Sequence, residues 1–427
     1  MKNSSIYALP EEIRKQNYVL ATYYIVLDKE TDVIRKAETM AVGQTVGTWV
    51  PVPGVTEEMR EKHMGKVVNI FDAPPYELFS QIEEDKRTYF IQIAYPTVNF
   101  GAQFPMLLTT LLGNDASTSA QVKLVDVQFP EEFVAPFKGP KFGIEGLREL
   151  TGVKDRPLVL NMIKPCTGLS PEAGAAIFYK TALGGLDFIK DDELLGNPEF
   201  SPVEERVKAY NEAAKEAARV TGKEVIYICN VTDRADRIWD TVEKALNAGA
   251  KALMLSFSVV GFSMFRAISE KVDVPVMGHY ATSGAMNEGI SSGLSSHLTV
   301  GKFPRLSGAD LVMMNTPYGG YPLTRQQYFK TYQQLVLPYY DIKPTMPICG
   351  GGVHPGMVPQ FTKDFGLDIM LAAGGAVQGH PQGAEAGAKA MVQAAEAMAE
   401  GISLKEAAAK HDELKAALDR FGEVEVK

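Results

Sequence analysis

The sequence predicts an α/β protein with a C-terminal (β/α)8 TIM barrel behind an N-terminal ferredoxin-like α+β domain. Two observations carry this. From residue 157 onward, eight short apolar runs recur: PLVLNMI, LDFI, EVIYICNV, ALMLSFSVV, VPVMG, LVMMN, MPICG and IMLAAGG. Each is followed by a turn marked by glycine, proline or acid and then by an amphipathic helical stretch, the rhythm of parallel βα units buried on both faces. Eight such units close a barrel. A doubly wound sheet would show fewer strands and a glycine-rich dinucleotide turn after the first, whereas NMIKPCTGLS contains no GxGxxG.

The second observation is the pattern before the barrel. It runs strand (18–27), helix (32–43), strand (66–71), strand (88–95), helix (105–112), strand (122–129), the order of a split βαβ unit. The stretch FPEEFVAPFKGPKFG, with three prolines and two glycines, then breaks the chain. The expected domains are therefore 1–140 and 141–427. Within the barrel, residues 201–220 read as a helix with Ser201 as N-cap and Glu204 closing a capping box, and the alanine-rich segment 383–410 reads as closing helices.

Composition narrows the function. Residues are 45% hydrophobic and 22% charged, the balance of a globular protein with a sizeable core. The net charge of −9 and the absence of a basic run or aromatic-basic stripe argue against a nucleic-acid partner. No apolar run approaches the roughly 18 residues of a membrane span, and the N-terminus lacks a signal-like apolar region, so a cytoplasmic protein with no membrane partner is expected. Cys166, Cys229 and Cys349 are odd in number and far apart, which suits reduced core thiols.

Barrel active sites lie at the carboxyl ends of the strands, so the residues ending each apolar run are the candidates. The first run ends in Lys164, the second in Lys190, Asp191, Asp192 and Glu193, the third in Asn230 and the fifth in His279. The last two end in glycine clusters, 350–352 and 374–375. Asp192 and Glu193 offer the hard oxygen ligands that Mg2+ prefers. Lys190, if desolvation keeps its amine neutral, can take up CO2 as a carbamate and become a third anionic ligand. Backbone N–H groups at Gly351, Gly352, Gly374 and Gly375 can approach a phosphate. His279 is a candidate contact to a substrate hydroxyl or phosphate, while His354 and His380 read as turn-fixing residues.

The motifs GGLDFIKDDE, IKP.TGLS (163–170), TVGTW (45–49), GN (113–114) and GGG...GHP.G (ending at 383) resemble the ribulose-bisphosphate carboxylase/oxygenase large-chain superfamily. The resemblance runs in register from about residue 18 to 420. It implies that Lys190 is carbamylated and binds Mg2+ with Asp192 and Glu193. It also implies a homodimer or higher homo-oligomer with a shared active site, Thr48 and Trp49 reaching the phosphate from the partner's small domain and Asn114 contacting substrate.

The departures point to the RuBisCO-like, non-carboxylating branch. Carboxylases read KPK where this chain has Lys164, Pro165 and Cys166, and their loop after strand six carries a CO2-holding lysine that MNTPYGGYPL (314–323) lacks. They place an arginine, gripping a second phosphate, where this chain has Tyr280. The substrate should thus carry one phosphate. GVHPGMVP (352–359), TPYG (316–319) and GH.A.SGA (278–285) are similar to the 2,3-diketo-5-methylthiopentyl-1-phosphate enolases of methionine salvage. Those enolases place a general-base lysine after the glycine of the GN motif, where this chain has Asn114, and lack the proline of IKP. The resemblance therefore favours the members acting on branched acid-sugar phosphates such as 3-oxo-isoapionate 4-phosphate, by decarboxylation or by carboxyl transfer and hydrolysis. In that expectation Lys164 transfers the proton, its pKa drawn down by the nearby cation. Two other classes stay open: a Schiff-base aldolase using Lys164, and a catalytically silent regulatory protein.

Overall fold

The computed structural model describes residues 6–47, 52–321 and 323–424. The chain divides into two compact units, one of residues 1–138 and 282–299 and the other of residues 139–281 and 300–427.

The smaller unit is built on β1 (Tyr18–Asp28), β2 (Lys66–Asp72), β3 (Lys86–Pro96) and β4 (Lys123–Gln128). Their order is β4-β1-β3-β2 with every neighbour antiparallel, the ferredoxin-like arrangement. Val19, Ala21, Tyr23, Ile25 and Leu27 are all buried, so β1 turns every second side chain inward as a pleated strand must. The helix Val33–Gly43 buries Ala37, Met40 and Ala41, and Asp32 caps it by accepting from the N–H groups of Ile34 and Arg35.

The larger unit holds β5 (Leu158–Met162), β6 (Phe188–Lys190), β7 (Ile226–Asn230), β8 (Ala252–Ser256) and β9 (Val276–His279). The two-residue β10 (Gly293–Leu294) belongs to the small sheet, and β11 (Leu311–Asn315), β12 (Met346–Gly350) and β13 (Met370–Ala373) complete the large one. These eight strands close in the order β11-β12-β13-β5-β6-β7-β8-β9, each pairing parallel with its neighbours. Alternate residues such as Leu158, Leu160, Ile226, Ile228, Met346 and Ile348 join one buried cluster, so the barrel is a filled core. Each predicted apolar run is one of its strands.

Two details depart from the sequence reading. Segment 282–299 groups with the small unit, because β10 pairs parallel with Lys123 and Leu124 and Lys123 Nζ donates to the carbonyls of Asn287 and Gly289. Ser201 is no N-cap: the helix begins at Val203, Pro202 precedes it without a side-chain cap, and the Ser201 carbonyl instead accepts from the buried Arg206 guanidinium. No described helix is long and apolar enough to cross a membrane.

Candidate active site

The second barrel strand ends by splitting four consecutive ionisable side chains between two faces. Asp191 turns into the wall, where its carboxylate accepts from Tyr227 Oη at 2.7 Å, Asn230 N at 2.9 Å and Arg206 Nε at 3.2 Å. Burial acts to lower the Arg206 pKa, but the Asp191 charge outweighs it and holds the guanidinium firmly charged. Asp191 is thus a structural anion. Asp192 and Glu193 face a cavity of about 270 Å3 at the carboxyl ends of the strands.

Lys190 is fully buried, donating to the Asp191 carbonyl at 2.7 Å with Glu193 Oε2 at 3.8 Å. Burial lowers its pKa more than the neighbouring carboxylates raise it. Lys164, two residues past β5, lines the same cavity and brings Nζ to 2.6 Å from Asp192 Oδ2 and 3.0 Å from Cys166 Sγ. Burial pulls the Lys164 pKa down, yet the hydrogen bonds to Asp192 and Cys166 carry it above its ordinary value. The ammonium thus holds the carboxylate that the expected cation would share. Asp192 is correspondingly kept ionised, since Lys164, Cys166 and Leu194 N overcome the cost of its burial.

His279 closes β9 with Nε2 3.5 Å from Glu193 Oε2, while its Nδ1 accepts from Ala281 N at 3.1 Å. Burial, reinforced by Lys190, depresses its pKa well below the ordinary range. The ring is therefore a neutral Nε2–H donor directed at Glu193. Tyr280 stacks on it, ring centroids 5.0 Å apart.

The glycine clusters form another wall: Gly351, Gly352, Gly374 and Gly375 all line the cavity. Gly351 (φ 91°) and Gly352 (φ 74°) occupy the left-handed region that disfavours a side chain. A Cβ at Gly374 would lie 2.9 Å from Met162 Cγ, so glycine leaves room there for the Met162 side chain.

Asn114 lines a different hollow, within the small unit, together with Thr45, His63 and Asn99. Thr48 and Trp49 lie outside the described residues. His380 does fix a turn, accepting from Gln382 N at 3.1 Å and meeting the Glu413 carbonyl at 3.0 Å. His354 does more than that, since it lines the cavity and stacks on Phe421. Cys229 and Cys349 are buried, but Cys166 is only partly so and its Sγ meets Lys164 Nζ, so it is no core thiol. Met313, Tyr321 and Phe421 also line the cavity, and sequence reasoning singled out none of them. Met313 ends an interior stripe of its strand, a signal that was available; Phe421 arrives from the last helix and left none.

Among the described residues no three His, Cys, Asp or Glu side chains gather as a metal site. The donor chemistry nevertheless fits Mg2+: two carboxylates flank a buried amine that burial disposes to lose its proton, and its carbamate would supply the missing anionic oxygens.

The catalytic-domain family of the ribulose bisphosphate carboxylase large chain matches residues 143–421, and the corresponding N-terminal-domain family matches residues 7–133. A ribulose bisphosphate carboxylase-like protein of Archaeoglobus fulgidus is 42% identical over 92% of this chain and 90% of its own length. A 2,3-diketo-5-methylthiopentyl-1-phosphate enolase of Geobacillus kaustophilus is 38% identical over 96% of this chain and 99% of its own. The crystal structure of a rubisco-like protein from Alicyclobacillus acidocaldarius superposes with a TM-score of 0.88 at 34% identity, covering 95% of this chain and 100% of that one. A dimeric archaeal Rubisco from Hyperthermus butylicus superposes with a TM-score of 0.86 at 29% identity, covering 96% of each chain. With both of its units matched, the chain belongs to the ribulose bisphosphate carboxylase large-chain family, as a RuBisCO-like protein.

Proposed function

We propose that the protein is a Mg2+-dependent enzyme that forms an enediolate from a singly phosphorylated keto sugar or keto acid sugar and does not fix CO2. The lead substrate class is 3-oxo-isoapionate 4-phosphate, turned over by decarboxylation or by carboxyl transfer and hydrolysis. Carbamylated Lys190, Asp192 and Glu193 would hold the metal, whose charge lowers the cost of an enediolate. The phosphate rests against the glycine turns. In decarboxylation the carbon–carbon bond to the carboxylate breaks, CO2 leaves, its electron pair stays on the substrate, and the Lys164 ammonium delivers a proton to that carbon. His279 donates to a substrate oxygen through Nε2–H. We infer a homodimer or larger assembly in which Thr48, Trp49 and Asn114 of one subunit complete the other's site.

The observation that carries this reading is the position of Lys164. It is the only lysine among the described residues lining the cavity, and it stands beside Asp192. The methionine-salvage enolase is the second reading, supported by the identity to enolases over almost the whole chain. The test is to preincubate the protein with Mg2+ and bicarbonate and offer 3-oxo-isoapionate 4-phosphate. Metal-dependent CO2 release is expected, with no incorporation of labelled CO2 into phosphoglycerate from ribulose bisphosphate. Such incorporation would overturn the assignment.

A further inference from the structure

We propose that Asn161 and Gln378 are positioning residues that hold the turn of Gly374 and Gly375 at a set place relative to Lys164. The inference rests on the single-phosphate reading above and names the residues that aim the phosphate's cradle. Asn161 is the one polar residue inside the apolar run PLVLNMI, in a buried strand where asparagine fits poorly. Leu158 and Leu160 point into the barrel and Met162 lines the cavity, so the alternation of β5 turns the fully buried Asn161 outward to the helix layer. There its amide holds both ends of the turn. Asn161 Nδ2 donates to the carbonyl of Ala373, the residue before Gly374, at 2.7 Å, and Asn161 Oδ1 accepts from Gln378 Nε2 at 2.9 Å. Gln378 Nε2 also donates to Thr181 Oγ1 at 3.0 Å, on the helix Pro171–Ala182, and that hydroxyl donates to the Ile177 carbonyl at 2.9 Å. The network ends on two backbone carbonyls, which only accept, so the orientation of both amides follows from it.

Apolar side chains at these three positions would pack the wall with no hydrogen bond required of them. A satisfied buried network instead permits one arrangement, because a shift of the turn would strand an amide or a hydroxyl away from water. What the arrangement fixes is a span. Gly374 directly follows Ala373, the cross-strand partner of Asn161, and Lys164 follows Asn161 by three residues on its own chain segment. The phosphate turn and the lysine, which line the same cavity, are thus both referenced to β5. The distance between them sets how far from its phosphate a substrate carries the carbon that receives the proton.

The test titrates the full-length protein with inorganic phosphate by calorimetry, without added metal and well below the melting midpoint, which is recorded for each variant. Gly375→Asp locates the ion: nothing lies within 4 Å of a Cβ there, so the carboxylate fits and should abolish binding. Gln378→Met keeps the length of the side chain and removes its amide. It is expected to raise the phosphate Kd about tenfold, the scale of one mis-aimed hydrogen bond to an anion. Thr181→Val leaves Gln378 its bond to Asn161 and should raise it less, by about threefold; this variant decides the matter if Gln378→Met does not fold. A purely structural network would lower the midpoints and leave the phosphate Kd of the folded protein unchanged, and that result overturns this inference alone. A wild type that takes up no phosphate, or a Gly375→Asp protein that binds it as tightly, overturns the phosphate cradle itself and the inference with it.

Discussion

Lys164 Nζ lies 2.6 Å from Asp192 Oδ2, so the end of the first barrel strand is tied by charge to the acidic cluster that ends the second. The ammonium neutralises Asp192, and a metal held as proposed above would share that carboxylate and free Lys164 for the substrate. Lys164→Met is therefore expected to lower kcat for the true substrate by about 100- to 10,000-fold. The fold should survive, because the lysine side chain is partly exposed. Steady-state rates with matched circular dichroism check this, and a variant that keeps near-normal kcat would remove Lys164 from the chemistry.

Lys190 is expected to carry a carbamate in the active enzyme. Its amine is fully buried and its pKa is lowered by that burial, which favours the uncharged form that reacts with CO2. Carbon-13 NMR with labelled bicarbonate and Mg2+ should show one carbamate resonance that Lys190→Ala lacks, and that variant should be inactive with its fold retained. A fully active, metal-loaded enzyme with free Lys190 would contradict the ligand set.

Asp187 interrupts the apolar run before Lys190 for a structural reason. It is buried, takes both terminal nitrogens of Arg156 at 2.8 and 3.0 Å, accepts from Val159 N at 2.7 Å and pairs with Lys223. Burial opposes its charge, but Arg156 and Lys223 hold its pKa below the ordinary value. Asp187→Asn should cost about 3–5 kcal/mol, since it leaves a buried guanidinium unpaired. Because the folded pKa is the lower one, the contribution is complete above the unfolded value of about 3.9 and fades as pH falls through the folded one. Urea midpoints of both proteins should differ by a constant amount from pH 8 to about 5 and converge below about 4. A difference independent of pH would assign the loss to packing.

The barrel is legible in the sequence because parallel strands buried on both faces read as uninterrupted apolar runs. The candidate site is legible because function gathers at the ends of those runs: Lys164, Asp192, Glu193, His279 and the four glycines all line one cavity. What the pattern could not separate is direction. Asp191 and Asp192 are adjacent and chemically identical, yet one braces Arg206 and the other faces the cavity. Cys166 reads as a core thiol by its neighbours, because its contact with Lys164 depends on how the chain turns after β5. Tyr321 and Phe421 enter from a loop and a terminal helix, where no strand period marks them.

The central claim is that Lys164, on the barrel side, moves the proton, with no lysine following the glycine of the small unit's GN motif. The most direct test is the wild-type rate on 2,3-diketo-5-methylthiopentyl 1-phosphate, measured with Mg2+ and bicarbonate beside the rate on 3-oxo-isoapionate 4-phosphate. Because the resemblance implies a base in those enolases at the position of Asn114, the diketo phosphate should be turned over at least about 100-fold more slowly than the acid-sugar phosphate. A diketo phosphate rate on the order of 10 per second, with the acid-sugar phosphate untouched, would contradict the account and establish the enolase reading in its place.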